Sequence, residues 1–207
     1  GWALATLSVA VMWLFVNTLA ASLLAFTVFI YIGVYTLWLK RRTPQNIVIG
    51  GLSGALPPAI GWAAVTGSLS LAPIVLVAII FLWTPPHFWS LALTRSEDYA
   101  RAGVPMMPVA RGKRSTRIQI MAYALVLVPL GLLPAATGIG GALYLAAAAG
   151  LGGLFLWNAL AVLRETDEAG EPAAHRTFAV SIFYLFFLFA ALIAERLLGF
   201  APLHLWM

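Results

Sequence analysis

Residues 81–108 read FLWTPPHFWSLALTRSEDYARAGVPMMP, an apolar helix with a Pro-Pro-His break inside it that opens onto Arg95, Glu97, Asp98 and Arg101. Pro85 and Pro86 have no N–H to offer the carbonyls of Phe81 and Leu82, so the sequence predicts a kink or local unwinding there. Inside a bilayer such freed carbonyls persist only where protein or a water-lined cavity satisfies them. His87 shares that depth, where an ionisable side chain costs roughly 2.5–3.5 kcal/mol and marks a functional site by default. The segment reads as one wall of a cavity opening toward a charged loop.

His87, Leu91 and Arg95 follow at steps of four and share a helical face. At about 1.5 Å per residue, His87 lies about 12 Å deeper than Arg95. Trp83 continues that face inward, with Phe88 and Trp89 flanking it. An aromatic pocket holding one imidazole under a basic rim fits a flat apolar molecule. A purely structural hydrogen bond is the other use for His87.

Outward from this stretch, the 207 residues are 62% hydrophobic and 9% charged, the composition of an integral membrane protein. Cysteine is absent, which excludes disulfides, thiolate metal sites and cysteine nucleophiles. The net charge of +5 is explained by basic residues beside apolar spans, which set membrane orientation, and not by nucleic-acid binding. Apolar stretches at about 2–16, 19–39, 45–66, 71–94, 117–136, 141–163 and 176–198 predict an all-α polytopic membrane helix bundle of seven spans in a single domain, 1–207. A crossing needs about 20 residues, and the first stretch falls several short. It opens at Gly1 with neither methionine nor a basic leader, so the expectation is a chain that starts inside a longer protein.

The connections are strongly asymmetric. Of the 12 basic residues, 11 fall on alternate links, at about 40–44, 95–116 and 164–175, together with Glu97, Asp98, Glu165, Asp167, Glu168 and Glu171. The intervening links at Asn17, 67–70 and 137–141 carry no charge. The positive-inside rule makes the charged face cytoplasmic and sends the C-terminus to the other side, near Glu195 and Arg196.

The charged links differ in character. In YTLWLKRRTPQN, Tyr35 and Trp38 stand just before Lys40, Arg41 and Arg42. This is either an aromatic belt with stop-transfer charges or a diphosphate clamp, since a lysine point charge and an arginine fork suit phosphoryl oxygens. In the following span, Gly50 and Gly54 make a small-xxx-small spacing for close helix approach. SEDYARAGVP predicts a short interfacial helix capped by Ser96 and ending at Gly103, with Asp98 and Arg101 paired on one face. Asp98 could hold a hard cation such as Mg²⁺ while Arg101 meets its phosphate; an exposed ion pair of little consequence is the alternative. RETDEAGEPAAHR, residues 164–176, reads as a solvated connection without chemistry.

TPPHFWSLAL followed by EDYARAGVPMMPV, with YTLWLKRRTPQNIVIGG and PPAIGWAAVTGSLSL upstream, closely resembles the protoheme IX farnesyltransferase (haem O synthase) family of UbiA-type intramembrane prenyltransferases. The resemblance covers most of the chain and is densest from Tyr35 to Pro108. It implies a nine-span bundle with its active site at the cytoplasmic helix ends of a bacterial inner-membrane protein. The implied reaction transfers the farnesyl group of farnesyl diphosphate to a vinyl group of haem B, giving haem O for terminal oxidases, with Mg²⁺ gripping the diphosphate. On this resemblance Lys40, Arg41, Arg95 and Arg101 bind the diphosphate, and Asp98 holds the metal. The resemblance implies that Asp98 and Arg101 are catalytic and that His87 meets the haem; the residues themselves add Tyr35 as a catalytic candidate, an electron-rich face for the allylic cation, and Trp83 and Phe88 as further lining of the haem pocket. Haem A synthase or terminal oxidase assembly factors are the implied partners.

One departure stands out. The family's first acidic motif, an Asn followed at four-residue steps by two Asp, is absent, for the chain holds only Asp98 and Asp167. The expectation is therefore an N-terminally truncated chain that lacks two spans and half the metal site, and is inactive alone. A UbiA-type enzyme acting on a quinone or chlorophyll precursor would share the clamp but not the Pro-Pro-His segment. A transporter would use His87 and a broken helix as a path, yet no inverted repeat accompanies them. A purely structural oxidase subunit would leave Asp98 replaceable.

Overall fold

A backbone crossing hydrocarbon must satisfy its own N–H and C=O groups, and the apolar stretches do so as helices. The computed structural model describes residues 1–167, 170–201 and 203. Glu168 and the C-terminal residues 204–207, on which the orientation reading touches, lie outside the described residues. The helices are α1 (Trp2–Phe15), α2 (Thr18–Val28, continued by a π-helical run Phe29–Leu39), α3 (Asn46–Ala55), α4 (Pro57–Thr66) and α5 (Leu71–Thr94). They continue with α6 (Ser96–Arg101), α7 (Met107–Arg111), α8 (Lys113–Ala136), α9 (Ala142–Arg164) and α10 (Pro172–Leu197). No strand occurs among the described residues.

Six helical segments among the described residues are long and apolar enough to cross a membrane. The expected first span, α1, is apolar but has 14 residues, none of them buried, and touches α2. At about 1.5 Å per residue it falls short of a hydrocarbon core about 30 Å thick. Two starts come earlier than the apolar pattern indicates: α8 at Lys113, where Lys113 and Arg114 extend the helix beyond the apolar core, and α10 at Pro172, a residue suited to the first helical position, followed by N–H groups that Glu165 accepts.

The centre of the molecule is α5, which packs against α3, α4, α8 and α10, while α8, α9 and α10 close on one another. Trp89, Ile79, Tyr144, Phe155 and Tyr184 are fully buried where these helices meet. The expected unwinding at Pro85-Pro86 does not occur: α5 is continuous through both prolines. Neighbours hold it from two sides. Gly51 of α3 lets the backbone approach Thr84, whose Cγ2 would lie 2.8 Å from an added Cβ. On the other side, the Trp83 indole donates to the Ser181 carbonyl of α10 at 2.8 Å. The helix lapses instead at Leu56, where Pro57 and Pro58 withhold donors from the carbonyls of Ser53 and Gly54.

Small residues govern approach in a membrane, where lipid is as apolar as the helix surface and close van der Waals contact drives association. The close approaches in α3 are Gly50, against the Tyr35 ring, and Gly51; an added Cβ at Gly54 meets nothing within 4 Å. The Gly50/Gly54 pairing is thus corrected to Gly50/Gly51, since α3 lies between two partners and not on one.

Carboxylates tie α9 and α10 together at both ends. Glu195 accepts from the backbone N–H groups of Gly141 (2.5 Å), Leu143 (2.8 Å) and Tyr144 (3.1 Å) at the start of α9. Glu165 does the same for Ala173 (2.6 Å) and Ala174 (3.2 Å) at the start of α10. Both satisfy free N–H donors and oppose the positive end of a helix dipole. The 164–176 link is not the solvated connection expected from its composition. Arg117, buried in α8, bonds Asp167 and Glu171 at 2.7 Å each, and Lys113 reaches Glu171 at 3.1 Å. Glu171 is itself buried, with a left-handed φ of 62°.

Two stability outcomes follow from these contacts. Gly51→Ala lowers stability by about 1–3 kcal/mol through overpacking, and Thr84→Ser, which removes the opposed methyl, restores much of it in detergent unfolding experiments. Arg117→Met or Glu171→Leu alone costs about 3–5 kcal/mol by stranding a buried charge, and the double replacement costs less than either.

Candidate functional site

The turn after the π-helical run is where the chain first becomes charged. In that run each N–H reaches five residues back; Lys40 N–H bonds the Tyr35 carbonyl at 2.9 Å and the Thr36 hydroxyl bonds the Tyr31 carbonyl at 2.7 Å. Such wide turns are rare and concentrate at functional sites. Here the wider turn brings Tyr31 and Tyr35 into a stack with centroids 5.8 Å apart. Lys40, Arg41 and Arg42 follow it, exposed. The Asn46 side chain donates to the Lys40 carbonyl at 3.1 Å and folds the turn back onto α3.

The second charged element is α6. Arg95, and not Ser96, occupies its N-cap, and no side chain caps the helix; Ser96 is instead its first residue. Gly103, with φ 64°, turns the chain back so that Met106 packs with Ile47 of α3 and Ala92 of α5, beside Tyr99 and Val104. The Lys40 turn and α6 therefore stand on one face of the bundle. Asp98 bonds Arg101 through one oxygen and Arg95, at 3.5 Å, through the other. The hydrogen bond from Arg101 holds the Asp98 carboxyl below its usual range. Among the described residues no hydrogen bond or ion pair joins Lys40 or Arg41 to Asp98 or Arg101.

Beneath this face lie two apolar hollows. One, of about 400 Å³, is enclosed by Tyr31 and Tyr35, by Gly50 and Gly51, and by Thr84 and Phe88. The other, of about 800 Å³, runs between α5 and α10 past His87, Phe178 and Ile182. Ile80 and Trp83 belong to both, so Trp83 is the wall where they meet. His87 is buried between two rings: Trp83 stacks at 4.2 Å and Phe178 at 4.7 Å, with Phe88 edge-on at 5.1 Å. Its Nδ1 lies 2.6 Å from the Ser181 hydroxyl.

The structure thus brings Trp83, His87 and Phe88 together at the junction of the hollows, and Arg95, Asp98 and Arg101 together at the rim. Tyr35 links the smaller hollow to the Lys40 turn. Sequence reasoning missed Ser181 and Phe178, which lie more than 90 residues from their partners in the chain. It also missed Tyr31, which a search for aromatics four apart would have found. A further polar hollow of about 360 Å³ joins Arg95, Asp98 and Thr94 to Lys113 and Glu171, so the link at Glu171 borders the rim.

The model of the UbiA prenyltransferase family matches residues 1–188. The chain is 58% identical to a protoheme IX farnesyltransferase of Parvibaculum lavamentivorans, over 96% of this chain and 63% of that protein. It is 58% identical to the protein of the same name from Azorhizobium caulinodans, over 95% of this chain and 64% of that one. With that of Caulobacter vibrioides the identity is 53%, over 99% and 68%. The chain spans slightly less than two thirds of the length of the first two curated relatives it matches. No solved structure matches it.

The Asp98 pairing has a defined pH window. A depressed carboxyl pKa stabilises the charged pair above the ordinary carboxylate range and loses that contribution as pH falls through the lowered value. Carbon-13 titration of the Asp98 carboxyl should give a midpoint below about 3.9, the unperturbed value, rising toward it in Arg101→Gln.

Proposed function

The chain belongs to the UbiA prenyltransferase family, and on that premise we propose that it carries the catalytic core of farnesyl transfer from farnesyl diphosphate to a vinyl group of haem B, giving haem O. The observation that carries this reading is the pair of apolar hollows meeting at Trp83 below a basic face. Two apolar substrates that must react with each other need adjoining spaces whose occupants can touch at the border, and both volumes lie in the range of ligand pockets, about 300–1,000 Å³.

In this reading the farnesyl chain enters the smaller hollow past Tyr35, with its diphosphate at Lys40, Arg41, Arg95 and Arg101. Cleavage of the C1–O bond sends the electron pair onto the diphosphate, where fixed positive charges meet the developing negative charge. The allylic cation is then shielded from water by Tyr35, Trp83 and Phe88, whose electron-rich faces attract it. The terminal vinyl carbon of haem in the larger hollow bonds to C1. Water adds to the adjacent carbon and loses a proton, leaving the hydroxyl. Asp98 positions Arg95 and Arg101, to which it is bonded.

Magnesium belongs to the family reading. Among the described residues no three His, Asp or Glu side chains gather in a group able to hold a metal, and both Asp98 oxygens are engaged by arginines. These residues by themselves do not fit that ion. A cytoplasmic site in a bacterial inner membrane, with oxidase assembly or haem A synthase receiving the product, belongs to the same proposal.

Membranes containing the full-length protein that carries this chain, incubated with labelled farnesyl diphosphate and either haem B or a hydroxybenzoate, should yield a hydroxyethylfarnesyl haem by mass spectrometry from the first, while the chain of residues 1–207 alone should yield none. Label in the benzoate instead would place the enzyme elsewhere in the family. Losing the charge-assisted bonds of Lys40 or Arg41 to alanine should raise the KM for farnesyl diphosphate by about tenfold or more, with the KM for haem little changed.

A further inference from the structure

Ser181 makes two short contacts through one hydroxyl. Its Oγ lies 2.5 Å from the Phe178 carbonyl oxygen and 2.6 Å from His87 Nδ1. Two oxygens at 2.5 Å require a hydrogen between them, and the serine hydroxyl holds the only one available. That hydroxyl therefore donates to Phe178 and has only lone pairs to offer the imidazole. The hydrogen in the second contact must be the one on Nδ1, so neutral His87 is the Nδ1–H tautomer and Nε2 carries a lone pair.

The surroundings fix where that lone pair is. The ring is held between Trp83 and Phe178, and the Trp83 indole is itself tied to the Ser181 carbonyl. His87 lines the larger hollow. Nε2 has no hydrogen-bond partner among the described residues, yet it is not among the unpartnered polar atoms sealed away from open space. Among the described residues no charged side chain lines the hollow, so its polar group of consequence there is an acceptor.

We infer that Ser181 is a positioning residue that locks His87 with its Nε2 lone pair toward the larger hollow, so that this hollow selects a porphyrin carrying a metal over a metal-free one. A bare apolar slot would accept both macrocycles alike. An imidazole lone pair adds one axial bond, open only to a metal centre, while the protonated inner nitrogens of a free porphyrin lie in the ring plane and offer it no axial donor. The inference rests on the haem reading of the hollow for its ligand; the tautomer stands independently of that reading.

The test uses the chain in lipid nanodiscs, titrated with zinc protoporphyrin IX and with metal-free protoporphyrin IX. The protein should bind the zinc form more tightly, with the Soret shift of an axial imidazole. Removing a group that orients a ligating histidine typically costs about 10–100-fold in metal affinity, and Ser181→Ala should lose about that much for the zinc form alone. Ser181→Thr, which keeps the hydroxyl, should retain the preference, and His87→Phe should bind the two porphyrins equally. Long-range ¹H–¹⁵N correlation on histidine-labelled protein, assigned by loss of signals in His87→Phe, should show Nδ1 protonated. An Nε2–H signal, or a preference for zinc unchanged in Ser181→Ala, overturns the inference even where haem is farnesylated. Farnesylation of another acceptor, with the tautomer signal intact, overturns the haem reading and leaves the lock standing.

Discussion

The rest of the molecule depends on how one turn of α5 is held at membrane depth. Pro85 and Pro86 withdraw two donors from a helix that has no water to turn to, and His87 adds a polar ring beside them. The bundle answers with contacts on two sides. Ser181 of α10 takes both the Trp83 indole and the His87 ring, and Gly51 of α3 admits Thr84 without a side chain in the way. Because α5 is fixed from both directions it remains helical, and the space its aromatic residues do not fill becomes two hollows with Trp83 between them.

Charge is arranged around that axis in two distinct ways. At the rim it stays exposed, as in the Arg95–Asp98–Arg101 group, where solvent screening keeps each pair weak and leaves the guanidinium groups open to an anion. One link further on, Arg117 and Glu171 are buried against each other, which fastens the start of α8 to the start of α10. Removing either partner strands a charge, so this contact enforces the geometry of the half-bundle on which Ser181 is carried. The carboxylates of Glu165 and Glu195 act in the same direction, each closing the N-terminus of the neighbouring helix.

Much of this is legible in the sequence. Hydropathy located the spans to within a few residues, and the long central span was visible as the organising one from its Pro-Pro-His segment. The Asp98–Arg101 pair followed from spacing on a short helix. Other features were out of reach. Pro85-Pro86 and Pro57-Pro58 are alike as dipeptides, yet one lies inside a continuous helix and the other interrupts it, because neighbours and not the prolines decide the outcome. The acidic link read as solvated because Glu171 looks like any loop glutamate until Arg117, 54 residues earlier, is seen beside it.

The sequence by itself determined the membrane class, the positions of the spans and the gathering of charge on alternate links, because hydrophobicity and charge act residue by residue and sum along the chain. Only the tertiary structure decided which glycine touches α5, that residues 29–39 wind as a π-helix, and that His87 meets Ser181. Those outcomes turn on distances between groups far apart in the chain, and no local pattern encodes a separation of 94 residues closing to 2.6 Å.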